Sequence, residues 1–309
     1  MAVAIASIYE AYAPVYDAIG QARFSEWMAG QTLRRLAGTG PRPARVLDLA
    51  CGTGAAALLF AAAGCDVAGV DRSAPMLEIA RGRARDAGYA IAFVQGDIRD
   101  LPTIGTAERA VSRESHLMAG ACDLRPAACD LAGACDLRPA TCDLVTCFYD
   151  SLNYLAEDGD LDRVFAGAAE ALRPGGRLVF DLNTEAEYAT WDERDAVTYD
   201  SPDCLVYNKL SYDRDTRLAT GRIVWFVREI ERWWRGEETH VERAWADGEV
   251  RAALAGAGLA LAVRLDVEGR PAAEDAPRVV YVARRLNGEG AEAAKSAESG
   301  FDCDTSSPS

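Results

Sequence analysis

Along the chain, short apolar runs alternate with amphipathic stretches, the pattern of an α/β protein with a mostly parallel sheet. Val46-Leu47-Asp48-Leu49 reads as a buried strand that enters the tight turn Ala50-Cys51-Gly52-Thr53-Gly54, and Ala55 to Ala63 follows as a helix. Cys65 to Val70 is a second strand closing on Asp71, and Ile91 to Gln95 a third, followed by Gly96-Asp97-Ile98. Asp143 to Phe148 is a fourth, and Leu172-Arg173-Pro174-Gly175-Gly176 turns into a fifth over Arg177-Leu178-Val179-Phe180. Open α/β sheets bind ligands at the carboxyl ends of their strands. Glycine lacks a Cβ, so a glycine turn at such an end lets backbone approach a ligand closely.

Outside this run the pattern changes. Residues 197 to 235 carry short alternating segments, Cys204-Leu205-Val206-Tyr207, Lys209-Leu210-Ser211-Tyr212 and Arg222 to Val227. Asp213-Arg214-Asp215 and Arg235-Gly236-Glu237 read as turns between them, predicting a small antiparallel sheet. Inserted after the fifth strand, it would sit over the carboxyl edge of the main sheet as a lid. Asp247 to Ala257 is a helix stopped by Gly258, and Leu259 to Val267 with Arg278 to Arg284 forms a closing hairpin. The expectation is a Rossmann-like seven-stranded sheet with one antiparallel strand, helices on both faces, and the β lid.

The glycine turn by itself is a weak signal, because a dinucleotide fold also begins with a strand, a Gly-rich turn and a distal acid. Here the order is Asp-x-Ala-x-Gly-x-Gly, then Ala-Ala-Ala where the third glycine of that fingerprint would fall, and the lysine of a phosphate-binding loop is missing. Taken together with Asp71, Gly96-Asp97-Ile98, the fourth strand and the Pro174-Gly175-Gly176 turn, the chain resembles the class I S-adenosylmethionine-dependent methyltransferases of small-molecule type. The resemblance covers roughly residues 9 to 183 and, less sharply, 246 to 285.

The resemblance implies roles residue by residue. Ala50, Gly52 and Gly54 would form the loop around the methionine portion of S-adenosylmethionine, with Asp48 helping to hold that loop and the amino group. Asp71 would take both ribose hydroxyls, since a carboxylate accepts two hydrogen bonds side by side. Met76 would pack on the adenine, or else fill the core. Asp97 would accept from the adenine amino group, with the Ile98 amide facing a ring nitrogen, and Cys147 and Phe148 would edge the methyl-transfer site. Tyr16, within Tyr9 to Asp17, would contact cofactor or substrate from an amino-terminal cap, while Tyr12 either does the same or seats the helix. Asp150 and Asn153, after the fourth strand, are candidate substrate-side residues; the competing role is an N-cap on the next helix. His240 alternates with Glu242 on one face if that segment is extended, and is a candidate base or a structural histidine. Trp225, Trp233, Trp234 and Tyr212 either wall an aromatic or cationic pocket or form the core of the small sheet.

Composition narrows the partners. A formal charge of −15 argues against a nucleic-acid substrate and against anionic membranes, both of which recruit Lys and Arg. The apolar runs are too short to span a bilayer, and the amino terminus lacks the basic start of a signal peptide, so a cytoplasmic enzyme is expected. The nine cysteines do not have structural zinc spacing. Cys122, Cys129, Cys135 and Cys142 belong to a tandem repeat, ACDLRPAACDLAG then ACDLRPATCDLVT, whose second copy runs into the fourth strand. The repeat predicts a surface insertion over about 104–141, which also holds His116. The domain reading is a helical cap at 1–43, the cofactor-binding core at 44–183, the lid at 184–245, the rest of the core at 246–286, and a disordered tail at 287–309 rich in Gly, Ala, Glu and Ser.

The function expected is in-line methyl transfer from S-adenosylmethionine to an amine, hydroxyl or carboxylate of a small molecule, with no metal. The alternative is a catalytically silent S-adenosylmethionine-binding regulatory protein. A nicotinamide reductase is disfavoured by the missing third glycine and by Gly96-Asp97-Ile98.

Overall fold

The computed structural model describes residues 8–38, 40–101, 140–191 and 194–287. The repeat insertion and the tail expected from the sequence lie almost wholly outside the described residues, as does His116.

Two helices come first, α1 (Ala13–Ala18) and α2 (Ala22–Ala37). The main sheet is built from β1 (Arg45–Leu49), β2 (Asp66–Asp71), β3 (Ala92–Gln95), β4 (Cys142–Cys147), β5 (Leu172–Asn183), β10 (Leu259–Leu265) and β11 (Arg278–Arg285). Its order is β3-β2-β1-β4-β5-β11-β10, parallel except for β11, which runs antiparallel to both neighbours. Successive side chains on a strand point to opposite faces. Accordingly Leu47, Val145 and Phe180 enter one core, together with α5 (Asp160–Ala171) and α7 (Asp247–Gly256). Val46, Leu144 and Val179 enter the other, with α2, α3 (Ala55–Ala62) and α4 (Ala74–Ala87). Burial on both faces is why these strands read as continuous apolar runs rather than alternating ones.

After β5 and the short α6 (Glu185–Tyr188), β6 (Arg194–Asp200), β7 (Cys204–Asp213), β8 (Leu218–Glu229) and β9 (Arg232–Arg243) form a separate antiparallel sheet in sequential order. It is larger than the sequence suggests. The two segments expected around Asn208 are one strand, because Asn208 stays in the ladder opposite Ile223. Arg235-Gly236-Glu237 is not a turn but lies inside β9, with Gly236 opposite Trp225. A Cβ on Gly236 would overlap the Trp225 indole, so this glycine is kept to seat a ring, not to bend the chain. The β8–β9 turn falls at Ile230 instead, with φ of 57°.

A third core joins the amino-terminal cap to this lid. Tyr12, Val15 and Tyr16 of the cap pack with Met76 of α4 and with Cys204, Val206 and Trp225 of the small sheet. The space beneath it, above the carboxyl ends of β1 to β4, is a cavity and the candidate site.

Candidate active site

The loop after β1 is built by its backbone. Ala50 (φ 50°), Gly52 (φ 52°) and Gly54 (φ 78°) are all left-handed, and for Ala50 that conformation costs about 1 kcal/mol. The turn closes by bonds from Cys51 N to Val70 O (3.0 Å) and from Gly54 N to Cys51 O (2.9 Å). Ala50 and Gly52 line a cavity, and no atom lies within 4 Å of where a Gly52 Cβ would stand. Gly54 differs: its missing Cβ makes room for Ala80 and Phe93, so it serves the packing of α3 on α4 and does not wall the cavity.

The acids at the strand ends divide the work. Asp71 ends β2 at the cavity, and its carboxylate accepts from the amides of Gly52 and Ser73, each at 2.8 Å. Burial pushes its carboxyl up against those bonds. Met76, on α4, also lines the cavity. Asp97 and Ile98 form the wall after β3. Asp97 also caps a short turn, accepting from the Arg99 amide at 2.9 Å and pairing with its guanidinium at 2.6 Å. Burial opposes ionisation there, but the Arg99 bonds outweigh it and hold the Asp97 carboxyl below its usual range.

Asp48 sits behind the loop. Its Oδ1 accepts from Thr146 Oγ1 at 2.7 Å, while Oδ2 is buried with no partner among the described residues. Burial raises this carboxyl to about 7. An orphaned buried acceptor is costly unless a donor arrives, so this pair of features, an unpartnered Asp48 oxygen behind an open glycine cradle, fits a ligand carrying an amino group.

On the far side, the cavity is walled by Phe148, Tyr149 and Tyr154 after β4 and by Tyr9 and Tyr16 of the cap. Cys147 is not part of this wall. It is buried one residue earlier, where desolvation pushes its thiol well up, and acts as a small hydrophobe. Tyr149 (φ 62°) and Asp150 (φ 49°) are both left-handed. Asp181, buried at the end of β5, holds this strained turn by accepting both amides, at 2.7 and 3.1 Å. Arg278 on β11 then bridges Asp181 (2.5 Å) and Asp150 (2.9 Å).

Two of the expected substrate-side residues therefore work elsewhere. Asp150 makes no side-chain cap; its carboxylate is paired with Arg278 and does not line the cavity. Asn153 is 0 % exposed and fully engaged, donating to Asn183 O (3.0 Å) and Arg243 O (2.8 Å) and accepting from Asn183 N (3.1 Å). It ties β5 to β9 and has no group left for a substrate. His240 and Glu242 do share one buried face of β9. The tryptophan cluster does not form: Trp225 is buried against Tyr12, Trp233 and Trp234 are exposed, and Tyr212 stacks on Tyr188.

Sequence reasoning missed Asp181, Arg278, Glu238, Tyr9 and Tyr154 as members of this region. An acid closing the apolar run Leu178-Val179-Phe180 was the one signal available for Asp181. Glu242 is a further buried acid, accepting from Tyr188 Oη at 2.5 Å; desolvation, reinforced by Asp150, raises its carboxyl to about 8.

Comparison with known proteins bears on this geometry. Residues 46–128 match the family model described as a methyltransferase domain. The protein named "Putative methyltransferase YqeM" of Bacillus subtilis is 26% identical over 256 residues, 82% of this chain and 87% of that one. Residues 46–128 thus carry the match to a methyltransferase domain, and the seven-stranded sheet matches the methyltransferase fold. Among solved structures, an S-adenosylmethionine-dependent methyltransferase from Clostridium acetobutylicum shares its fold with a TM-score of 0.70 and 22% identity, over 91% of this chain and all (100%) of that one. The sugar N-methyltransferase KedS8 from Streptoalloteichus shares it with a TM-score of 0.61 and 22% identity, over 93% and 99% of the two chains. A further neighbour in fold, the amino pentose methyltransferase CalS10 from Micromonospora echinaspora, was solved with S-adenosylmethionine bound. No helix among the described residues is long and apolar enough to cross a membrane.

Proposed function

We propose that this methyltransferase acts on an amine nitrogen of a small polar molecule. The observation that carries the reading is the balance of charge beneath the lid. Glu238 of β9 and Asp150 and Asp181 of the core stand close to the tyrosine wall, where the two aspartates share Arg278. An ammonium approaching this chamber is attracted and can lie on tyrosine faces, whereas a carboxylate acceptor is repelled. The likeness to a sugar N-methyltransferase supports the same class of acceptor.

When bound, S-adenosylmethionine supplies an electrophilic methyl group on a sulfonium. The chain's own residues do the positioning, which carries much of the rate in such a transfer. Ala50 and Gly52 form the cradle, Asp48 Oδ2 accepts from the amino group, and Asp71 takes the ribose hydroxyls. Asp97, the Ile98 amide and Met76 hold the adenine, and Tyr16 closes the cavity from the cap. Asp150 acts through Arg278 and the Tyr149 turn. A silent regulatory protein is not favoured, since the cavity stays open along Phe148 and Tyr149.

The test is calorimetric titration with S-adenosylmethionine, S-adenosylhomocysteine and, as control, NADH, followed by mass-spectrometric screening of amines, alcohols and carboxylic acids. Binding of the two sulfur ligands with methylation confined to amines is expected. Methylation of acids alone would overturn the choice of acceptor.

A further inference from the structure

Four side chains make one hydrogen-bonded line from the cavity wall into the lid. Tyr9 and Tyr154 both line the cavity, and their phenol oxygens are 2.9 Å apart. Tyr154 Oη lies 3.1 Å from His240 Nδ1, and His240 Nε2 lies 3.2 Å from Glu238 Oε2. The Tyr9 ring also packs edge-on against His240, with centroids 4.8 Å apart.

The donors can be ordered from the far end. Burial alone would push the Glu238 carboxyl up, but bonds from His240 and from the Tyr9 and Tyr12 amides hold it below its usual range. An ionised carboxylate only accepts, so His240 carries its hydrogen on Nε2 and, when neutral, accepts at Nδ1. Tyr154 donates to Nδ1 and accepts from Tyr9 in this order, with Glu242 the other side chain in hydrogen-bond contact with its phenol. Every hydrogen in the line points from the cavity toward Glu238, and the outer lone pair of Tyr9 is left facing the cavity.

We propose that Tyr9, Tyr154, His240 and Glu238 form a proton path that deprotonates an ammonium acceptor before methyl transfer. The proposal rests on the amine reading above. A simple alkylamine, with a pKa of about 10 like that of lysine, is almost wholly protonated at neutral pH and has no lone pair to attack with. One N–H bond of the ammonium breaks and its proton joins the Tyr9 oxygen. Tyr9 passes its own proton to Tyr154, and Tyr154 passes its proton to His240 Nδ1. One N–H is lost at the acceptor and one is gained at His240. The electron pair stays on the acceptor nitrogen as the nucleophile, and the imidazolium is stabilised by the Glu238 carboxylate. Tyr9 is the catalytic residue of this path; Tyr154, His240 and Glu238 act through it.

Glu238 has a second task that couples the path to cap closure. It accepts from the backbone amides of Tyr9 (2.8 Å), Ala11 (3.0 Å) and Tyr12 (3.1 Å), and Tyr9 is held at φ 64°. The line is therefore complete only when the cap is docked on β9. Charged and titratable groups facing it are Glu238, Glu242, Asp150 and the tyrosines themselves.

Imidazole ¹⁵N NMR of the full chain saturated with S-adenosylhomocysteine tests the path without any acceptor. The sequence has two histidines, so His240→Asn assigns the signal. The expected result is the Nε2–H tautomer in neutral His240, a changed Nδ1 shift in Tyr154→Phe, and a changed Nε2 shift in Glu238→Gln. An Nδ1–H tautomer, or no response to Tyr154→Phe, overturns the proposal. With an amino sugar as acceptor, His240→Asn is expected to lose roughly 10²-fold in kcat/KM near pH 7 and to recover toward wild type as the pH nears that of the free amine. A loss that stays constant with pH also overturns the path. If wild type methylates no amino sugar, the amine reading is what fails, and the NMR result still decides whether the hydrogen-bonded line has the stated direction.

Discussion

Asp71, at the end of β2, accepts a hydrogen bond from the backbone amide of Gly52 at 2.8 Å. The acid proposed to hold the ribose thus also holds the glycine cradle, through a separate oxygen from the one that meets Ser73. Cofactor site and loop are one unit.

Asp71→Ala is therefore expected to weaken S-adenosylmethionine binding by about 1–3 kcal/mol, the worth of hydrogen bonds to a charged group. Calorimetry on the folded variant measures it. Wild-type affinity in that variant would remove Asp71 from the site.

Asn153 behaves as structure. Asn153→Ala leaves the Asn183 amide and the Asn183 and Arg243 carbonyls without their partner. Each buried group left unpaired costs on the order of 1–3 kcal/mol. A lowered denaturant midpoint with nearly unchanged cofactor affinity is expected. A normal midpoint with selective loss of turnover would return Asn153 to the substrate side.

Gly236→Ala tests how the lid is seated. Its Cβ would intrude on the Trp225 indole, whose ring stands 5.0 Å from that of Tyr12. Overpacking of this kind costs about 1–3 kcal/mol. A shifted tryptophan emission and a lower melting temperature should appear together. Unchanged emission would mean that the ring is not held by this contact.

Glu242 makes stability depend on pH in a known direction. Burial raises its carboxyl from the ordinary 4.5 to about 8, so between those values the folded chain binds more protons than the unfolded one. Its contribution is fully present below about pH 4.5 and is lost as pH rises through about 8. Glu242→Gln, which stays uncharged, should flatten the decline in stability between pH 5 and 8. Parallel stability curves for the two proteins would show that Glu242 is not buried as a neutral acid.

Much of the fold was legible because parallel strands buried on both faces are written as apolar runs, and Asp71, Asp97 and Gly52 sit where those runs stop. The small sheet was legible only in outline. Its strands are continuous through Asn208 and Gly236 because ladder bonds and the Trp225 ring, supplied by neighbouring strands, override the local signals for a break.

The sequence by itself determined the parallel sheet, the glycine cradle and the acids at the strand ends, since each depends on residues close together in the chain. Only the tertiary structure decided which polar residues remain available for chemistry. Asn153 and Asp150 look like substrate groups in sequence, but partners 30 to 128 residues away have taken their hydrogen bonds. Tyr9 and Glu238 are 229 residues apart, and only folding the cap against β9 joins them to His240 and Tyr154. Hydrogen bonding saturates, so whether a side chain is spent or free depends on neighbours that local sequence does not contain.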